Sequence, residues 1–148
     1  MDKTYELTEL ESVVAEFLDH IGCGKQITAQ QSVEYPALVI GLLGDLGAGK
    51  TTFTKEVAKQ MGATEAVSSP TFVLRKDYTL ENGRNLIHID AYRLENKEQI
   101  FQVIKEEELK QKNNVVIIEW GDKVDKEILD KVFHFQHVSE NERRICEI

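Results

Sequence analysis

The sequence predicts one α/β domain over 1–148, built on a mixed, mostly parallel central sheet flanked by helices and carrying antiparallel hairpins. Three observations predict it. Two short runs, 37–43 and 115–118, are nearly unbroken in their apolar character, as befits parallel strands covered on both faces. Segments with apolar residues at spacings of three and four accompany them, at 9–21, 50–61 and 96–110. Residues 44–51 read Gly-Asp-Leu-Gly-Ala-Gly-Lys-Thr and join the first apolar run to the second helical pattern, which is the strand, loop and helix order of a phosphate-cradling loop.

Each element follows from its own signals. Thr8 with Glu11 forms a capping-box pattern, and Leu10, Val13, Val14, Phe17, Leu18 and Ile21 then line one face of a helix. From Gly22 to Pro36 the chain is polar and reads as a loop, with a short strand conceivable at 25–28. The first core strand is 37–43. The helix after the Gly-rich run carries Phe53, Val57, Ala58 and Met61, with Gly62 placed as its C-cap. Ser68-Ser69-Pro70 marks a rigid loop, and 71–80 pairs with 84–89 through Asn82-Gly83, whose readiness for positive φ makes a hairpin. Asn96 followed by Gln99 starts a helix to about 110, with Ile100, Phe101, Ile104 and Leu109 on its apolar face. After the strand at 115–118, the tail alternates at 132–138 and 143–148 around Ser139-Glu140-Asn141-Glu142, a second hairpin.

The Gly-rich run has a direct chemical reading as a nucleotide triphosphatase loop. A triphosphate carries several negative charges, so backbone N–H groups must converge on it, and glycines let the chain curl around it with no Cβ in the way. Gly44, Asp45, Leu46, Gly47, Ala48, Gly49, Lys50, Thr51 and Thr52 are therefore the candidate nucleotide-binding residues, with Lys50 on the β and γ phosphates and the Thr51 hydroxyl on Mg²⁺.

Size and charge limit the rest. A chain of 148 residues suits one core, since a domain of this length buries roughly two thirds of its unfolded surface. A net charge of −8 offers no broad footprint for RNA or DNA and leaves room only for a local basic patch. The two cysteines, Cys23 and Cys146, have no metal-ligand spacing and fit a reducing cytoplasm. No secretory stretch and no long apolar run is present, so neither export nor a membrane span is expected.

A phosphate loop does not itself supply the metal's other ligands or activate water. Open α/β sheets place ligands at the carboxyl ends of their strands, where Asp90 closes 86–89 and Glu119 closes 115–118. Their carboxylates are hard ligands suited to Mg²⁺, and one can orient the ion while the other polarises the attacking water. Ser69 and Thr71 occupy the position of a γ-phosphate sensor or serve simply as turn residues around Pro70. Trp120 shields the site or packs in the core. Arg93 contacts phosphate, another subunit or a surface acid, with Tyr92 packed beneath it. His20, His88, His134 and His137 show no metal spacing, and His88 reads as an ordinary strand residue between Ile87 and Ile89.

Asp90-Ala91-Tyr92-Arg93 lacks the glycine of the GTPase D-x-x-G element, and Asp122-Lys123-Val124-Asp125 lacks the leading Asn or Thr of N-K-x-D, so ATP is favoured over GTP. A small-molecule kinase is the weaker enzyme reading, because 91–112 holds one arginine where a lid would carry more. A nucleotide-gated binding protein with incidental hydrolysis is the other alternative.

Gly44 to Thr52, Ser69-Pro70-Thr71-Phe72, His88-Ile89-Asp90-Ala91-Tyr92-Arg93-Leu94 and Ile118-Glu119-Trp120, in this order, resemble the TsaE family, formerly YjeE. These are bacterial P-loop ATPases of the tRNA threonylcarbamoyladenosine pathway, and the resemblance spans nearly the whole chain. It implies a single-domain P-loop NTPase fold and work alongside TsaB and TsaD. That machinery installs threonylcarbamoyl on the N6 amine of adenosine at tRNA position 37, with ATP hydrolysis resetting the complex between rounds. It further implies Thr51 and Glu119 as Mg²⁺ ligands, Lys50 and the backbone of 44–52 on the phosphates, and Asp90 as the residue needed for hydrolysis. Ser69, Pro70 and Thr71 then belong to a switch-like loop that takes part in catalysis, the Thr8 to Glu11 segment approaches the adenine, and Arg143 is a further nucleotide contact. On this resemblance tRNA is substrate of the complex and is not bound broadly by this acidic chain. Three departures bear on partner contacts and loop geometry: Gly121 after the Glu-Trp pair, the loss of a usual glycine near Val103, and a longer 22–36 connection.

Overall fold

Four parallel strands form the centre of the sheet, and antiparallel strands close both edges. The computed structural model describes residues 1–24, 34–64, 74–80 and 83–148. Its strands are β1 (Asp2–Glu6), β2 (Leu38–Leu43), β3 (Arg75–Thr79), β4 (Asn85–Asp90), β5 (Asn114–Glu119), β6 (Lys131–His137) and β7 (Glu142–Glu147). They lie in the order β1-β7-β6-β2-β5-β4-β3, one mixed seven-stranded sheet. β6, β2, β5 and β4 run parallel to their neighbours, whereas β3 pairs with β4, β7 with β6, and β1 with β7 in antiparallel fashion. The expected mixed sheet with hairpins at its margins is thus the observed one.

Both faces are covered, which is why β5 is buried at every position. On one face, helices α1 (Leu10–His20) and α2 (Lys50–Gln60) bury Val13, Val14, Phe17, Phe53 and Val57 against Leu42, Leu86, Ile117 and Phe133. Phe17 sits edge-on to Phe53 and Phe133, with ring centroids 4.9 and 5.0 Å away. On the other face, Ile87, Ile89, Val116 and Ile118 pack against Ile100, Ile104, Leu109 and Val124. Alternation along each strand therefore sends β4 residues 86, 88 and 90 to the α2 side. Among the described residues no helix is long and apolar enough to cross a membrane.

Several elements differ from expectation for identifiable reasons. β1 was not anticipated, because Asp-Lys-Thr-Tyr-Glu buries only Tyr5 and reads as a charged segment. Helix α1 starts later than the Thr8 cap implies: residues 7–9 form a 3-10 turn, and it is Glu9, not Glu11, whose carboxylate returns to accept a backbone N–H, that of Glu6 at 2.8 Å. The single helix expected over 96–110 is two pieces, a 3-10 segment Lys97–Gln102 and a short helix α3 (Glu106–Lys110). Asn96 does cap the first piece, accepting from the Gln99 N–H. Gly62 ends α2 with φ +84° and Gly83 turns the β3–β4 hairpin with φ +78°, as their placement predicted. The conceivable strand at 25–28, the Ser68–Pro70 loop and Asn82 lie outside the described residues.

Candidate nucleotide site

The site grows from the carboxyl ends of β2, β4 and β5. After Leu43 the chain turns through 44–49, with Gly47 and Gly49 at φ +79° and +99°, and Lys50 opens α2. The first N–H groups of a helix have no intrahelical acceptor, so this end offers donors to an anion and the positive end of the helix dipole. Lys50 is only 4% exposed. Its ammonium donates to the Gly44 and Asp45 carbonyls, the latter at 2.8 Å, and stands 4.2 Å over the Trp120 ring. Burial pulls the Lys50 ammonium below its usual range, against the opposing carboxylates of Glu119, Asp45, Asp90 and Asp122. A buried cation folded onto its own loop carbonyls is a group that phosphate oxygens can recruit.

The two predicted acids come together. Asp90 and Glu119 are register partners on adjacent parallel strands, and Glu119 is in turn the partner of Leu42 beside the loop. The Thr51 hydroxyl donates to Glu119 Oε2 at 2.8 Å, and Asp90 Oδ1 accepts from the Tyr92 N–H at 3.0 Å. Lys50, Thr51, Asp90, Tyr92, Glu119 and Trp120 line one cleft of about 240 Å³ with residues of the loop. Whole-ligand pockets commonly run from about 300 to 1,000 Å³, so a cleft of this size suits the phosphate end of a nucleotide. A hydroxyl and a carboxylate 2.8 Å apart fit Mg²⁺, which takes few protein oxygens and completes its octahedron with phosphate and water.

Trp120 roofs the cleft. It is a bulky residue in the left-handed region, φ 59° and ψ 50°, a conformation that costs energy and clusters at functional sites. Tyr92 packs on Trp120, ring centroids 5.0 Å apart, and Arg93 is exposed. Gly121, a departure noted above, meets Gly41 so closely that an added Cβ would sit 3.0 Å from its Cα. A larger residue would push β2 and this turn apart.

One residue was missed. His88 is 3% exposed and its Nε2 lies 2.6 Å from Glu119 Oε1, so the imidazole holds the carboxylate from the side opposite Thr51. The available signal was its position two residues before Asp90, hence on the same sheet face. Other candidates stand apart from the cleft. Glu11 borders a separate hollow of about 580 Å³ with Thr8, Cys23 and Gln60, and its carbonyl accepts from the side chain of Gln60, the last residue of α2. Arg143 donates to the carbonyls of Ser139 and Glu142, at 2.8 and 2.9 Å, and so braces its own hairpin turn. Ser69, Pro70 and Thr71 lie outside the described residues.

Residues 14–145 match the model of the family described as threonylcarbamoyl adenosine biosynthesis protein TsaE. The chain belongs to the TsaE family. Relatives bearing the name tRNA threonylcarbamoyladenosine biosynthesis protein TsaE include one from Bacillus subtilis, 38% identical over 93 residues. That alignment covers 63% of this chain and 56% of the relative, so this chain matches little more than half of the Bacillus protein's length. The Rickettsia typhi protein is 34% identical over 115 residues, covering 76% and 78%, and that of Treponema pallidum is 42% identical over 91 residues, covering 61% and 64%. The crystal structure of Bacillus subtilis YdiB superposes with a TM-score of 0.64 over 99% of this chain and 83% of that one, at 25% identity. This TsaE-family chain is accordingly a P-loop protein of nucleotide-binding type. The matched stretch contains the whole cleft but begins after Glu11.

Proposed function

We propose that this protein is a Mg-dependent ATPase of the tRNA threonylcarbamoyladenosine machinery, acting in the cytoplasm with TsaB and TsaD to permit repeated turnover. The observation that carries the chemistry is the meeting of Lys50, Thr51, Asp90 and Glu119 in one cleft at the ends of three adjacent parallel strands. The relatives' names carry the pathway.

Each residue has a role in this reading. Lys50 exchanges the carbonyls of Gly44 and Asp45 for phosphate oxygens, while the backbone of 44–52 supplies further N–H donors. Thr51 and Glu119 would hold Mg²⁺, which when bound neutralises charge on the phosphate oxygens. Asp90, its Oδ1 fixed by the Tyr92 N–H, orients the attacking water, and Trp120 limits the entry of other water. Thr71 acts from the switch-like loop, and Glu11 and Arg143, which lie outside the phosphate cleft, would serve the nucleoside end that extends beyond it.

Among the described residues lining the cleft, Lys50 is the single cation. Phosphoryl-transfer sites that lack an arginine turn over slowly until a partner supplies one or orders a loop. Hydrolysis is therefore weak in isolation and faster in the complex, whose other subunits receive the tRNA that this chain, at net charge −8, does not grip broadly.

Inorganic phosphate release from Mg-ATP, measured for the purified protein alone and with cognate TsaB and TsaD, tests this reading. Partner-stimulated release that Lys50→Ala abolishes is the expected result. Equal single-turnover rates with and without the partners overturn the coupling.

A further inference from the structure

His88 and Glu119 form a buried polar pair whose geometry reaches beyond the ligands named so far. Their side chains are 2% and 4% exposed, and Nε2 to Oε1 is 2.6 Å. Glu119 is gripped from two sides, Oε1 by His88 and Oε2 by Thr51 at 2.8 Å. An ionised carboxylate only accepts hydrogen bonds, so His88 must present Nε2–H. Its Nδ1 is buried without a hydrogen-bond partner among the described residues.

The placement follows from the sheet. His88 and Asp90 share the α2 face of β4, and their register partners on β5 are Ile117 and Glu119. Below His88 that face is apolar, with Leu86, Val115 and Ile117 buried; above it are Asp90 and the cleft. A buried polar ring costs stability unless a hydrogen bond returns something, and among the described residues the bond this ring makes is to the carboxylate beside Thr51.

We propose that His88 is a positioning residue: by holding Oε1 it keeps Oε2 of Glu119 turned toward Thr51 and the magnesium position. This inference rests on the proposed Mg-ATP chemistry, and removal of such an outer partner lowers metal affinity about 10- to 100-fold in other sites.

The test titrates magnesium at a fixed concentration of a non-hydrolysable ATP analogue, with the fluorescence of the sole tryptophan, Trp120, as signal. Analogue affinity in EDTA is measured separately. His88→Leu removes the donor, His88→Asn shortens it, and His88→Gln returns an N–H close to the Nε2 position. The expected result is a rise of about tenfold or more in half-saturating magnesium for the Leu and Asn variants. Wild-type behaviour of His88→Gln and an unchanged affinity in EDTA complete it. The same magnesium requirement in all four proteins, or a loss of affinity in EDTA that Gln does not rescue, overturns the proposal. A wild type indifferent to magnesium would instead count against the proposed ATPase chemistry. The contact is then decided by the nitrogen-labelled imidazole spectrum of the nucleotide-free protein, where a proton on Nε2 supports it and a bare Nε2 overturns it.

Discussion

Gly44 leaves β2 at φ +134°, and a Cβ there would lie 2.3 Å from the Phe135 carbonyl oxygen on β6. Gly47, at φ +79°, faces open space within 4 Å. Alanine at Gly47 thus meets only the left-handed backbone cost of about 1–2 kcal/mol. Alanine at Gly44 must also move the phosphate loop or β6. Urea denaturation should show Gly44→Ala losing more than Gly47→Ala, with nucleotide affinity falling alongside; equal losses would mean that contact with Phe135 sets nothing. At this scale much was legible in the sequence. Lys50 and Thr51 follow from a fixed spacing, and Asp90 and Glu119 from their place at strand ends. His88 was not legible as a functional group, because its partner lies on another strand and one sequence does not say which strands are neighbours.

The broken helix shows why elements can be named more easily than bounded. Over 96–110 the apolar spacing suits one helix, yet Lys105 adopts φ −77°, ψ 148°. Arg75, on β3, donates to the Val103 carbonyl at 3.1 Å and clasps the Glu108 carboxylate at 2.9 and 2.7 Å, while Glu108 also accepts the Lys105 N–H. Those bonds take up backbone groups that a continuous helix would pair internally, and the β-branched Val103 and Ile104 weaken the alternative. Arg75 further binds Asp77 with two N–H groups, and these carboxylates hold its guanidinium firmly charged. Arg75→Ala should cost about 1.5–3 kcal/mol in urea denaturation, the range for hydrogen bonds to charged groups. Arg75→Lys should recover little, since an ammonium lacks the planar fork. A lysine variant as stable as wild type would show that charge alone suffices.

Strand order is a property of the whole molecule, and it brings together segments that the sequence keeps far apart. Glu147, on β7, accepts from Lys131 on β6 at 2.8 Å, and its other oxygen meets His20 at the end of α1 and lies 3.5 Å from the Met1 amino group. Hydrogen bonds from Lys131 and His20 lower its pKa from 4.5 to about 2. Glu108, clasped by Arg75, is likewise lowered from 4.5 to about 2. In this window the unfolded chain binds more protons than the folded one, so stability rises with pH. The contribution of each carboxylate is fully present above about 4.5 and is lost as the pH falls through about 2. Many carboxylates titrate in the same range, so a comparison isolates the effect better than a single acid melt. Glu147→Gln removes the ionisable group while keeping its shape. It should be less stable than wild type at neutral pH, and the gap should narrow steadily between pH 4.5 and pH 2 as wild-type Glu147 takes up its proton. Thermal melts of both proteins across that range measure the gap. A constant difference would assign the role of Glu147 to packing, and a widening one would mean that its pKa is raised on folding, not lowered.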